Sequence, residues 1–108
     1  MKTKIFWSLP AQEDLESIIE YITIDSKENA RALYEEIKKN CIKLEMFPET
    51  GRVPPELKAH NIESYRELIV KHWRLLYRHG NNEVNLLAVL DSRRDIDDTL
   101  LERMIKRK

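Results

Sequence analysis

The sequence predicts an α+β fold: an N-terminal strand, an α-helical hairpin packed on an antiparallel β-sheet, and a short C-terminal helix. Three observations lead there. Apolar residues recur at helical spacing through the first half of the chain, and the period drops to about two from Tyr65 onward. The few strong breakers, Gly51, Gly80, Pro10, Pro48, Pro54 and Pro55, fall between the periodic runs rather than inside them. Strands that follow helices, instead of alternating with them, favour a meander covered by helices on one face over a parallel sheet.

Residues 2–7 read as a short strand with Ile5 and Trp7 on one side and Phe6 on the other. Pro10 marks a helix start, since its missing N–H costs nothing in a first turn, and Glu13 and Asp14 are expected to meet the positive end of the helix dipole. Leu15, Ile18, Ile19 and Ile22 form its apolar stripe. Asp25-Ser26-Lys27-Glu28 offers a D-x-x-E capping signal for a second helix. That helix carries Ala30, Leu33, Tyr34, Ile37, Cys41 and Leu44 and ends at Phe47-Pro48. Residues 49–64, with Pro54-Pro55, read as a long loop suited to shaping a site or a partner surface.

Residues 65–70, 73–78 and 84–90 are runs rich in β-branched, aromatic and leucine residues. His79-Gly80-Asn81-Asn82 supplies turn chemistry between the second and third, whereas Lys71-His72 is a poor match to the turn it must make. Asp95 and Asp98 can cap a last helix bearing Leu100, Met104 and Ile105, with Arg103, Lys106, Arg107 and Lys108 at its negative end.

The chain has 108 residues, 42% hydrophobic and 35% charged, the size of one small domain with its own core. Its 19 basic and 19 acidic residues cancel, so any attraction for nucleic acid must come from a local patch. Residues 1–54 carry 8 basic and 10 acidic side chains, and residues 55–108 carry 11 and 9. One cysteine cannot form an internal disulfide, and no apolar run approaches a bilayer span, which predicts a soluble cytoplasmic protein with no membrane partner. Cys41, on an apolar helical stripe, is expected to be a buried, inert thiol. No phosphate-binding glycine loop or metal-ligand spacing occurs, and His60, His72 and His79 are scattered, so no cofactor and no metal are expected.

The residues with chemical potential are the arginines, whose rigid charged fork suits carboxylate or phosphate. In an extended run Arg66 faces with Leu68 and Val70, while Arg74 and Arg78 share a face with Leu76, leaving Trp73, Leu75 and Tyr77 for the core. Arg93 and Arg94 follow the last strand. Two readings stand side by side: a half-solvated sheet face with ion pairs such as Arg74 with Glu67 or Glu83, or a partner-binding surface of Arg74, Arg78, Arg93 and Arg94.

The ordered set Tyr65-Arg66-Glu67-Leu68-Ile69-Val70, Trp73-Arg74-Leu75-Leu76-Tyr77-Arg78 and Val84-Asn85-Leu86-Leu87-Ala88-Val89-Leu90, closing on Arg93-Arg94-Asp95, resembles the C-terminal signature of RelE/ParE superfamily toxins of type II toxin–antitoxin modules. The upstream helices and Phe47-Pro48-Glu49-Thr50-Gly51-Arg52 resemble the ParE branch; the likeness covers nearly the whole chain and implies one domain over residues 1–108. The resemblance implies a toxin restrained by a cognate antitoxin, with DNA contacted only through that antitoxin. ParE-like members poison DNA gyrase by protein contact. RelE-like members cut messenger RNA on the ribosome, and on that pattern the nuclease residues are Arg66, Arg74 and Arg93. Leu68 occupies the second basic position of the nuclease pattern, however, and the tyrosine position falls near Thr99. Neither side chain replaces the chemistry lost, which favours gyrase. Asp91-Ser92 stand where many ParE-like toxins have a histidine, and an aspartate there would tend to neutralise Arg93. A non-toxic, antitoxin-binding relic is the third reading.

Overall fold

Ser8 decides where the first helix begins: its hydroxyl accepts the Ala11 N–H at 3.2 Å, and Pro10 occupies the first turn. The computed structural model describes residues 2–93 together with Ile96. Strand β1 (Lys4–Trp7) leads into α1 (Leu9–Asp25) and α2 (Lys27–Met46), then a single turn α3 (Pro55–Lys58), then β2 (Tyr65–Val70), β3 (Trp73–Gly80) and β4 (Glu83–Asp91). The α+β expectation holds, and α3 is an addition inside the stretch read as a loop. The expected C-terminal helix lies outside the described residues, as does Arg94.

The expected capping residues shift by one or more places. Ser26, not Asp25, caps α2, accepting the Asn29 N–H at 3.1 Å while its own N–H closes α1 on Ile22 O. One serine thus ends one helix and starts the next. With the helix beginning at Leu9, the first turn of α1 holds no acid. Asp14 instead reaches the sheet, where Oδ2 accepts the Val89 N–H at 3.0 Å.

The sheet order is β1-β4-β3-β2. The last three strands form the expected antiparallel meander, but β1 joins β4 in parallel, so the sheet is mixed. Lys71 takes φ 56° in the two-residue β2–β3 turn, and Asn81 and Asn82 take φ 53° and 60° in the next. The asparagines, rather than Gly80, therefore supply the left-handed geometry that a tight hairpin needs. Between Leu76 and Tyr77 the β3–β4 register slips, leaving Leu87 as the extra residue of a β-bulge. The bulge lies next to the end of β1 pairing at Leu86. Beyond it, Asp14 takes over the acceptor role for Val89.

That slip sorts the core. Ala11, Leu33, Ile37 and Leu44 from the helices pack on Leu68, Val70, Leu75, Tyr77, Val84, Leu86 and Val89. On the other face Leu76, Ala88 and Leu90 pack with Leu57 of α3 and with Ile96. Trp73, Leu75 and Tyr77 therefore face the helices as expected, and Leu76 faces away. Cys41 borders the helix-side core, where burial and then the Glu45 charge push its thiol up to about 11. An unactivated thiol is the result.

Candidate functional site

The path from α2 back to the sheet is held by side chains of the strands. Tyr77 is fully buried, yet its hydroxyl donates to Pro48 O at 2.8 Å and accepts the Gly51 N–H at 2.9 Å. Arg66 donates to Gly51 O at 2.7 Å and to Glu49 O at 3.3 Å. Arg52 exchanges backbone hydrogen bonds with Glu67, at 3.0 and 2.8 Å, so the segment lies along β2 as a short extra edge. Tyr77→Phe removes the partner of a carbonyl and of a buried N–H at once. It is expected to cost about 1–3 kcal/mol, read from the midpoint of chemical denaturation.

Behind that edge lies a chain of charges. Glu67, with its side chain 0% exposed, accepts from Arg52 Nε at 2.8 Å on one oxygen and from Arg74 Nε at 2.5 Å on the other. Arg74 also makes a bidentate pair with Glu56 of α3, both contacts at 2.8 Å. Pro55 opens α3 and Glu56 follows in its first turn, so the single turn aims a carboxylate at the sheet. The Arg74 hydrogen bond, acting against partial desolvation, holds the Glu56 carboxyl down at about 2. The same pairing, chiefly with Glu56, raises the Arg74 guanidinium further above its already high range.

Because the Glu56 carboxyl lies below its ordinary 4.5, its contribution to stability is fully present above that value. It is lost as pH falls toward 2, when the folded state must also take up the proton. The thermal midpoint of the native chain is expected to fall more steeply between pH 4.5 and 2 than that of Glu56→Gln, with the two curves parallel above pH 5.

The arginines expected to form one working surface are therefore divided. Arg74, expected on the partner-binding surface, is only 5% exposed and turned to Glu56 and Glu67. Of the two partners proposed for it, Glu67 is found, and Glu56 of α3 takes the place of Glu83. Arg66 is engaged with loop carbonyls. Arg78 is exposed and lines a cleft of about 360 Å³ on the uncovered part of the outer sheet face, with Tyr65, Asn81, Glu83, Asn85 and Leu87. Arg93 is 89% exposed but folds back on Asp91, Nε to Oδ1 and Nη2 to Oδ2 both at 3.0 Å, in keeping with the neutralisation anticipated for that aspartate. The pair holds the Asp91 carboxyl down at about 2.

Glu56, Gly51 and Tyr77 were not singled out by their spacing. A proline-opened turn with an acid in its first turn was the signal for Glu56, and a tyrosine in a core-facing strand position, whose hydroxyl needs a partner, was the signal for Tyr77. Among the described residues no three His, Cys, Asp or Glu side chains cluster to hold a metal ion, and no helix is long and apolar enough to cross a membrane.

Comparison with known proteins agrees with this architecture. The family model described as the ParE toxin of the type II toxin–antitoxin system, parDE, matches residues 5–96. A solved structure of a chromosomal ParDE toxin–antitoxin system from P. aeruginosa matches with a TM-score of 0.65 at 18% identity, covering 83% of this chain and 96% of that one. No curated protein matches by sequence.

Proposed function

Since the chain belongs to the ParE toxin family of type II toxin–antitoxin systems, we propose that it inhibits growth by poisoning DNA gyrase through protein contact, acts in the cytoplasm as a single domain over residues 1–108, and is neutralised by a cognate antitoxin. The enclosure of Arg74 carries this reading. Metal-free RNA cleavage needs a cation free to neutralise the charge that develops on the phosphate. Here that strand arginine already faces two carboxylates, Glu56 and Glu67. Leu68, at the second basic position of the nuclease pattern, is 8% exposed within the core. Of the arginines expected at a partner surface, Arg78 and Arg93 are exposed, Arg93 while paired with Asp91, and Arg94 follows Arg93 in sequence.

The antitoxin reading is supported by apolar side chains left uncovered on the helical hairpin and its exit, among them Tyr21, Ile24, Ile42, Met46 and Phe47, which are 57–82% exposed. Such a surface suits a segment that orders as it binds. The similar structure from P. aeruginosa is described as a ParDE toxin–antitoxin system, which points to the same class of partner.

The test is addition of the purified protein to gyrase and supercoiled plasmid, with a parallel ribosome reaction on a translated message. Accumulation of gyrase-cleaved DNA, reversed by the product of the neighbouring small reading frame, with the message intact, is the expected result. Codon-dependent cuts in the message with gyrase unaffected would identify a nuclease. Silence in both reactions, with antitoxin bound, would identify a relic.

A further inference from the structure

The charged chain behind the sheet ends on the backbone of the C-terminal segment. Oε2 of Glu56, the same oxygen that receives Arg74 Nη1, faces the Ile96 N–H at 3.5 Å. That contact contributes to the lowering of the Glu56 carboxyl. Ile96 itself is 0% exposed and packs among Leu57, Leu76, Ala88 and Leu90. Two adjacent residues of α3 therefore meet the chain just after Arg93 and Arg94, Glu56 at its backbone and Leu57 at its side chain. Because α3 is one turn long, its own backbone gives it little rigidity. The bidentate pair to Arg74, a residue of the central meander, fixes the carboxylate in place.

We infer that Glu56, anchored by Arg74, is a positioning residue that clamps the chain at Ile96 and so sets how Arg93, three residues earlier, is presented to the toxin's target. This rests on the toxin reading above and assigns to Arg74 an indirect role in toxicity in place of direct contact. Among the described residues, Arg93 is bound to Asp91, and Ser92 donates its N–H to His72 O at 2.9 Å. Ile96 adds a second point of attachment beyond them.

Glu56→Ala removes the clamp while leaving Arg74 paired with Glu67, and Glu56→Gln keeps an oxygen able to accept from both Arg74 and Ile96. In Glu56→Ala, amide exchange at Ile96 is expected to speed up about tenfold, the size of losing a hydrogen bond to a charged group. Growth inhibition on induction and gyrase-dependent cleavage in vitro should weaken by a similar factor, with antitoxin affinity changed less than about threefold. Glu56→Gln should recover most of each. Faster exchange at Ile96 with full toxicity would overturn the inference, as would parallel loss of toxicity and antitoxin binding, which marks general unfolding. A native chain that arrests growth without touching gyrase would instead remove the gyrase reading, while growth inhibition and Ile96 exchange would still decide the clamp.

Discussion

Arg74→Met is expected to destabilise the fold by about 3 kcal/mol, the lower end of the cost of breaking a buried ion pair from one side. The loss arises less from the missing attraction than from what remains. Glu67 has no exposed side-chain surface, so without Arg74 one carboxylate oxygen is left in a dry site with only the partly exposed Arg52 on the other. Glu56 loses its bidentate partner at the same time. Pairing Arg74→Met with Glu67→Leu should recover a large part of the loss, because the double change removes both buried charges together. Denaturant midpoints of the single and double variants measure this directly. A single variant as stable as the native chain would mean that the pair is solvated.

Gly51→Ala is expected to cost more than a surface glycine replacement, about 2–4 kcal/mol, as an overpacked site that also breaks buried hydrogen bonds. A Cβ at this position would lie 2.6 Å from Glu67 O and 2.6 Å from Tyr77 Oη. The first is strand backbone and the second is the hydroxyl that holds Gly51 N–H and Pro48 O, so neither can yield without breaking hydrogen bonds of the 48–52 segment. Gly80→Ala is the control: nothing lies within 4 Å of its Cβ position, and a change of a few tenths of a kcal/mol is expected. Thermal midpoints of the two variants should therefore differ by several degrees although both glycines flank turns.

The sequence carried the layers because each side chain pattern repeats locally. Leu33, Ile37 and Leu44 recur on one helical face, and Leu75 and Tyr77 alternate away from Leu76, so the burial of each follows from neighbours a few residues away. The parallel pairing of β1 with β4 depends on residues some 80 positions apart and leaves no local mark. The Leu87 bulge was hidden for a related reason: in an apolar run from Leu86 to Leu90 an added residue does not interrupt hydrophobicity. Among the arginines, alternation placed Arg74 on the outer face correctly. It could not reveal that α3 covers that part of the face, because a four-residue turn is too short to show a period. The local pairing of Arg93 was legible for the opposite reason, as Asp91 is only two residues away.

The most direct test of the claim that Arg74 is an internal cation, turned to Glu56 and Glu67, is the nitrogen–proton NMR signal of its Nε–H. The structure requires a resolved signal, protected from solvent exchange, shifted by Glu67→Gln, and unmoved by added inorganic phosphate or short RNA. A signal that exchanges freely and moves on RNA addition would contradict it.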